Sequence, residues 1–294
     1  MVQFIANGIC NAAVYSLVAI GFGLIFYATK TFHIAHGGIY TFAGFICYAV
    51  LIPLGWPLSL AIIIGIVAGT VLGLLIEVAV YYPLVNPRKN RNASPAILMI
   101  SSLGAYIIVV NIIAIWAGND TKVLRPGVEM TINLWGAILT QVQVAQILIA
   151  TIGIISLATV LRFTHLGRTI RALADDAELI STLGYNIRAL RLAVFAVGSS
   201  FAGVGSILTA LDVGIDPQVG FHAVLVAAVA TIIGGFGRLL APAFGALILG
   251  LLQSIVIWQT SQKWSSAVVF AVLVLVLLFR PQGLLASKKR LEEE

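Results

Sequence analysis

The chain has 294 residues, of which 60% are apolar and only 10% are Asp, Glu, Lys or Arg, and its formal net charge is +6. A soluble domain carries about 25% charged residues because its surface must face water. This composition excludes a soluble globule and indicates an integral membrane protein. The positive net charge alone would also suit nucleic acid, but the distribution of the basic residues, given below, favours membrane topology and predicts no nucleic-acid partner.

Nine apolar stretches are candidate membrane helices. A helix that crosses the membrane needs roughly 20 mostly apolar residues. In chain order they are residues 5–28, 38–52, 58–80, 96–116, 142–161, 190–211, 223–236, 242–258 and 265–279. The second and seventh are short, and their lengths suit re-entrant or broken helices at least as well as full crossings. We therefore predict an all-α polytopic membrane protein, one transmembrane domain over residues 1–294, with eight to ten transmembrane or re-entrant helices.

The basic residues favour one orientation of these helices. If the C-terminus is cytoplasmic and all nine candidates cross, fourteen of the 17 Lys and Arg residues lie inside and three outside. The inside set is Lys30, Arg88, Lys89, Arg91, Arg162, Arg168, Arg171, Arg188, Arg191, Arg238, Arg280, Lys288, Lys289 and Arg290, and the outside set is Lys122, Arg125 and Lys263. The positive-inside rule then predicts an N-terminus outside and a C-terminus in the cytoplasm. The N-terminus has no basic region ahead of its apolar stretch, which argues against a cleaved signal peptide.

Two loops are long enough to hold structure of their own. The outer loop, residues 117–141, contains turn-forming pairs such as Pro126-Gly127. The inner loop, residues 162–191, has apolar residues at helical spacing: Ile170, Leu173, Ala174, Ala177, Ile180 and Leu183. Acidic residues cluster in its middle, at Asp175, Asp176 and Glu178, and Gly184 is a natural C-terminal stop. This pattern predicts one amphipathic cytoplasmic helix from Arg168 to Gly184.

Residues that could support catalysis or bind a cofactor are scarce. The glycine cluster at residues 234–238 lacks the Lys-Ser/Thr pair of a phosphate-binding loop, so the chain is not expected to bind or hydrolyse ATP alone. No spacing of His, Ser or Cys suggests a catalytic or metal site, and Cys10 and Cys47 are expected to be packing residues. The chain is thus predicted not to be an enzyme and to bind no cofactor of its own.

Glu77 is the one carboxylate inside a candidate span, near the inner end of that span. A charge at this depth is costly and normally has a partner. A structural role, in which Glu77 bonds to backbone or to a basic residue, is favoured over proton coupling. The scarcity of such acids also weighs against a proton- or sodium-driven carrier.

The segment from Lys30 to Gly38 interrupts two apolar runs. It suits either an ordinary cytoplasmic turn or an unwound stretch that lines a pathway, where irregular backbone at membrane depth is tolerated. In the second case the candidate pathway residues are His33, His36, Gly37 and Gly38.

Asp212 and Asp216 precede a short span, and their position also allows two interpretations. They belong either to a solvated outer loop or to an outer vestibule that meets the substrate or a delivering protein.

Three stretches make the chain resemble the permease subunits of branched-chain amino acid ABC importers, within a larger group that includes ribose-type permeases. GFGLIFYATKTFHIAHGGIYTFAGF begins at Gly21 and resembles the family's early segment around Ala-His-Gly. GRTIRALADDAELISTLGYNI begins at Gly167 and is similar to its cytoplasmic coupling region. VATIIGGFGRLLAPAFGALILGLLQSI, from Val229, and FRPQGLL, from Phe279, resemble its C-terminal motifs. The order and spacing agree over essentially the whole chain.

The resemblance implies partners and a location. It implies a second permease subunit, two cytoplasmic ATP-binding subunits that hold ATP and Mg, an extracytoplasmic solute-binding protein, and the plasma (inner) membrane of a bacterial type. Relatives of this type carry branched-chain and other amino acids, amides or urea. Departures from the family pattern, such as Gly38 after Ala-His-Gly, leave the solute open. A secondary carrier or channel and a membrane-embedded enzyme are the alternative classes.

The resemblance also assigns the inner helix to contact with an ATPase. The implied coupling residues are Arg168, Arg171, Asp175, Asp176, Glu178, Ile180, Leu183 and Gly184. The family's Glu-Ala-Ala-x-x-x-Gly core reads here as ELISTLG, which keeps the glutamate and the glycine but not the alanines. The alternative is a helix on the membrane surface, with its arginines near lipid headgroups.

Overall fold

The computed structural model describes residues 1–85, 94–124, 130–134, 136–235, 240–280 and 283–285. These residues form a bundle of helices with one small hairpin. The α-helices are α1 (Val2–Thr29), α2 (Ala35–Leu51), α3 (Leu58–Ile76), α4 (Tyr82–Val85), α5 (Pro95–Ala117), α6 (Gln141–Phe163), α7 (His165–Asp175), α8 (Ala177–Thr182), α9 (Ile187–Asp212), α10 (Val219–Gly234), α11 (Ala241–Gln259) and α12 (Ser265–Phe279). A π-helical turn, Glu77–Tyr81, joins α3 to α4 without a break.

Helix α1 lies at the centre of the bundle. Its 28 residues rise about 42 Å, enough to cross a bilayer. Every residue from Ser16 to Ile25 is buried, because α6, α9, α10 and α11 surround this part of the helix. Gly21 lets α9 approach closely, since a Cβ there would lie 2.5 Å from the carbonyl oxygen of Gly198. A helix that is apolar on all sides is expected in such a position.

Six of the described helical segments are long and apolar enough to cross a membrane. They are Val2–Thr29, Leu58–Val85, Pro95–Ala117, Gln141–Phe163, Ile187–Asp212 and Ala241–Gln259. Helices α2, α10 and α12 are apolar but shorter, at 17, 16 and 15 residues. The chain is thus a multi-pass α-helical membrane protein, and the number of full crossings stays a prediction.

The two helices predicted to be short, α2 and α10, begin against each other inside the bundle. Gly37 and Gly220, in their first turns, are in direct backbone contact. A Cβ at Gly37 would lie 2.4 Å from the Gly220 carbonyl oxygen, and one at Gly220 would lie 2.0 Å from that of Gly37. Only glycine allows so close an approach at both positions. The first turn of α10 is therefore packed at Gly220 directly against the first turn of α2.

A β-hairpin lies at one end of the bundle, hereafter the hairpin end. Strands β1 (Thr131–Leu134) and β2 (Ala137–Thr140) pair antiparallel. The Gln3 side chain ties α1 to β2, donating to the Ile138 carbonyl at 2.9 Å and accepting from the Ile138 N–H at 2.8 Å. The sequence predicted turns in this loop but not strands. Pro126-Gly127 lies outside the described residues.

The opposite end of the bundle, hereafter the α7/α8 end, corrects one prediction. The single helix expected from Arg168 to Gly184 is two helices, α7 and α8, because Asp176 is extended (φ −151°, ψ 103°). Its carboxylate accepts the Leu179 N–H at 2.9 Å and so caps α8, a role for which Asp is strongly preferred. The stop at Gly184 is confirmed, since its φ of +85° is a conformation that favours glycine.

Candidate functional sites

A groove of about 680 Å³ opens at the α7/α8 end. It lies between the C-terminal end of α1, helices α4, α7 and α8, and the start of α9. We call it the α7/α8 groove; it is lined by Ala28, Thr29, Lys30, Tyr82, Val85, Leu173, Ala174, Asp175, Ala177, Ser181, Tyr185, Asn186, Ile187, Arg188 and Arg191. Basic side chains and one carboxylate thus share a concave surface of mixed polarity.

The predicted coupling residues divide into those that face out and those that hold the helices in place. Leu183 is 63% exposed, whereas Ile180 is only 5% exposed and packs into the main core. Arg171 donates to the carbonyl oxygen of Leu161, which ties α7 to the end of α6. Ile180 therefore anchors α8 to its own bundle, and Leu183 is the apolar residue available to a partner.

The remaining coupling residues are placed as follows. Asp175 lines the α7/α8 groove, and Arg168 is exposed on α7. Asp176 ends α7 and caps α8, and Gly184 ends α8. The Glu178 side chain lies outside what the structure describes. The structure thus groups these residues at one end of the bundle.

A buried ion pair links two helices beneath this groove. The guanidinium of Arg191, at the start of α9, donates to both carboxylate oxygens of Glu77 at 2.5 and 3.0 Å. Glu77 is 2% exposed and Arg191 8%. Bidentate pairs of this kind are the strong form of the interaction. The bonding role predicted for Glu77 is confirmed, and its partner is a residue that the sequence placed among the cytoplasmic basic residues.

The predicted pathway residues His33 and His36 are fully buried. His33 Nδ1 lies 2.7 Å from the Tyr81 hydroxyl, and the two imidazole rings are 5.6 Å apart. Gly37 is packed against Gly220, and a Cβ at Gly38 would meet Val109 at 3.4 Å. None of the four residues lines either cavity described here. Their place on a transport pathway stays a prediction.

A second cavity, of about 210 Å³, lies toward the hairpin end. We call it the polar cavity; it is lined by Asn11, Val14, Tyr15, Val18, Tyr40, Gln146, Thr209, Asp212, Val213, Val219, His222, Ala223, Gln253, Ile257 and Ser265. Asp212, a predicted site residue, is thus part of it. Asp216 instead accepts the Gln218 N–H at 2.8 Å, in the turn before α10.

The polar side chains of this cavity come from separate helices and bond to one another. Tyr40 donates to the Thr209 hydroxyl at 2.6 Å. Gln146 donates to the Asp212 carboxylate at 3.2 Å and to the Leu208 carbonyl at 3.3 Å. The sequence analysis did not single out Tyr15, Tyr40, Gln146, His222 or Gln253. A signal was present, since an isolated glutamine within an apolar span normally faces the bundle interior.

No group of three His, Cys, Asp or Glu side chains that could hold a metal ion occurs within the described ranges. Both cysteines are buried as free thiols.

The multi-pass bundle, with its groove at one end and its interior polar cavity, has the architecture of a transport permease. A sequence profile described as "Branched-chain amino acid transport system / permease component" matches residues 4–277. The chain belongs to this family of ABC transport permeases, and the predicted resemblance is confirmed.

Named relatives agree with this assignment. The chain is 28% identical over 300 residues to the high-affinity branched-chain amino acid transport system permease protein LivH of Escherichia coli (strain K12), covering 96% of this chain and 94% of LivH. It is 29% identical over 301 residues to the permease protein BraD of Pseudomonas aeruginosa, covering 96% and 95%. A shorter match, 28% over 123 residues, links 41% of this chain to 28% of the E. coli permease protein LivM.

A solved structure shares the fold. The structure described as PsaBC from Streptococcus pneumoniae in complex with Fab superposes with a TM-score of 0.54, covering 95% of this chain and 93% of the matched chain. The two sequences are 13% identical, so the likeness concerns the fold alone.

Proposed function

We propose that this chain is the transmembrane permease subunit of an ATP-binding cassette importer. Its solute would be a branched-chain or other amino acid, or a related small molecule such as urea. The solute class follows from the family, whose named members include LivH and BraD. The observation that carries the importer assignment is the α7/α8 end, where two exposed leucines, Leu179 and Leu183, lie at the same end of the bundle as a large groove.

The α7/α8 groove suits docking of an ATP-binding subunit. Leu179 on α8 and Leu183 directly after it are exposed at this end of the bundle, though neither lines the groove, and they give a partner apolar anchors. Asp175 and Arg188, which do line the groove, supply charges. The sequence contains no phosphate-binding loop, so energy must come from outside the chain. We infer two cytoplasmic ATP-binding subunits that hold ATP and Mg, a second permease subunit similar to this one, and no cofactor on this chain.

The opposite end suits a solute-binding protein. The hairpin there presents the exposed side chains of Ile132 and Ile138, next to the exposed Met130. A surface of this kind offers apolar contacts to a partner. An extracytoplasmic solute-binding protein is the partner that such an importer requires at this end.

The proposal is tested by reconstituting the complete transporter in proteoliposomes with its binding protein. We expect the liganded binding protein to stimulate ATP hydrolysis, and the labelled solute to accumulate only when ATP is present. A panel of branched-chain amino acids, other amino acids, amides and urea identifies the solute. Uptake driven by a proton or sodium gradient without ATP would contradict the proposal and favour a secondary carrier.

The orientation is a separate proposal, with the α7/α8 end in the cytoplasm. Asp120→Cys, near the hairpin end, should react with a membrane-impermeant maleimide in intact cells. Tyr185→Cys, in the α7/α8 groove, should react only after permeabilisation. The native Cys10 and Cys47 are buried, so the unsubstituted chain serves as the background control. Labelling of position 185 from outside would reverse the orientation.

A further inference from the structure

We propose that the polar cavity is a solute-binding site inside this single chain, built to hold an α-amino acid with an aliphatic side chain as its zwitterion. The proposal rests on the proposed transport function and locates the solute within it. The cavity offers features that suit three parts of such a molecule: acceptors for an ammonium group, a helix N-terminus for a carboxylate, and an apolar wall for the side chain.

The acceptors come from α9 and α11. Gln253 is 1% exposed and lines the cavity; its amide nitrogen donates to the Ser265 carbonyl at 3.3 Å. The Tyr15 side chain lies beside this amide, yet Gln253 Oε1 accepts no hydrogen bond of normal geometry from the described residues. A buried acceptor left unsatisfied is costly, so a donor supplied by a ligand fits here. Asp212 adds a carboxylate to the same cavity.

The charge of the lining favours a cationic group at this place. Asp212 contributes a carboxylate, and none of the described lining residues is Lys or Arg. An ammonium group brings three donors and a positive charge, which match a carboxylate and an amide oxygen.

The carboxylate of the solute has a counterpart at the start of α10. Val219, His222 and Ala223, all in the first turns of this helix, line the cavity. The N-cap residue, Gln218, makes no side-chain capping bond, and the first turn contains no acidic residue. The Asp216 carboxylate, just before the helix, accepts the Gln218 N–H, and the N–H groups of Val219 and Phe221 bond to backbone carbonyls. The start of a helix carries a partial positive charge from its aligned peptide dipoles. Helices that begin inside a membrane bundle point this end at anionic groups of a transported solute.

The volume of the polar cavity and its apolar lining residues favour a small aliphatic molecule. A volume of about 210 Å³ corresponds to about seven waters at about 30 Å³ each, which admits one small solute. Val14, Val18 and Ile257 supply apolar surface opposite the polar groups. An aliphatic side chain gains free energy by leaving water for such a wall.

A polar stripe on α1 leads from the hairpin end to this cavity. Gln3, Asn7, Asn11 and Tyr15 are spaced four residues apart, so they lie on one face of the helix. Gln3 donates to Asn7 at 3.0 Å, Asn11 is exposed, and Asn11 and Tyr15 line the cavity. A solute released at the hairpin end would meet hydrogen-bonding groups along this face.

The test measures binding of radiolabelled L-leucine to the full-length chain in lipid nanodiscs. We expect saturable binding that weakens about tenfold or more in Gln253→Leu and in Gln146→Leu, because each removes a buried polar contact. Thr151→Val is the matched control on the same helix as Gln146. Thr151 is exposed, and its hydroxyl donates to the Ile147 carbonyl of its own helix. This control should bind leucine as the unsubstituted chain does.

Competition on the unsubstituted chain keeps the proposal testable even if a variant fails to fold. The probe 4-methylpentanoate lacks the ammonium group and 3-methylbutylamine lacks the carboxylate. Each should compete about tenfold or more weakly than leucine. Competition by both at the strength of leucine would reduce the site to an apolar pocket and overturn the proposal. Absence of leucine binding would overturn it as well.

The complete transporter separates this proposal from the proposed function. If it imports leucine with an unchanged KM in both glutamine variants, the site is wrong and the function stands. If it imports no amino acid while the chain still binds leucine in a Gln253-dependent way, the site stands and the solute assignment is wrong.

Discussion

Replacing Glu77 with leucine is expected to destabilise the folded permease by about 3–5 kcal/mol, because it leaves the Arg191 guanidinium buried without a counter-charge. Both side chains are almost completely buried, and the carboxylate accepts both hydrogen bonds of the guanidinium. Arg191→Leu should cost a similar amount, since it strands the carboxylate. The effect should appear as a lower midpoint of thermal unfolding in detergent and as reduced yield.

The double substitution Glu77→Leu with Arg191→Leu is the decisive control. Replacing a whole buried ion pair by apolar residues is often neutral or stabilising. We therefore expect the double variant to recover most of the stability that either single variant loses. Losses that simply add would show that the two residues act independently and would contradict the pairing.

The ion pair also constrains the helices around the α7/α8 groove. Glu77 opens the π-helical turn before α4, and Arg191 lines the α7/α8 groove at the start of α9. The pair thus joins the turn before α4 to the start of α9, and α4 and α9 both line the groove. Because the alternative to pairing is a buried charge, the relative position of these elements is strongly constrained.

Leu183→Glu is expected to weaken binding of the ATP-binding subunit by about 2–4 kcal/mol, or roughly 30- to 1,000-fold. Leu183 directly follows α8 and is exposed, so the substitution should leave the fold of the permease intact. At a protein interface, however, it places a carboxylate where an apolar anchor is needed. The dissociation constant between the ATPase and the permease in nanodiscs measures the effect, and coupled uptake should fall with it.

Leu54→Glu provides the matched control. Leu54 is 61% exposed, close to the value for Leu183, but it follows α2 on the far side of the bundle from the α7/α8 groove. The same new charge there should leave the ATPase affinity unchanged. If Leu183→Glu also leaves affinity and uptake unchanged, α8 is not the coupling element and the membrane-surface alternative is favoured.

Much of the architecture could be predicted from local sequence. A composition with 10% charged residues requires a non-aqueous solvent, and backbone groups in lipid must be satisfied within helices or closed barrels. Helices α1, α3, α5, α6, α9 and α11 follow from this, as do the short lengths of α2 and α10. The stop at Gly184 was also predictable, because a left-handed C-terminal residue is a property of glycine itself.

Other features depend on contacts between distant parts of the chain. Asp176 splits the predicted amphipathic helix because its side chain caps α8. The spacing of apolar residues does not reveal such a side-chain-to-backbone hydrogen bond. The partner of Glu77 is 114 positions away along the chain, and a charge in a span does not say which cation it meets. The polar cavity collects residues from α1, α2, α6, α9, α10, α11 and α12. Local pattern specifies which segments become helices in lipid, whereas the groove and the cavity exist only where the packing of those helices brings isolated polar groups within bonding distance.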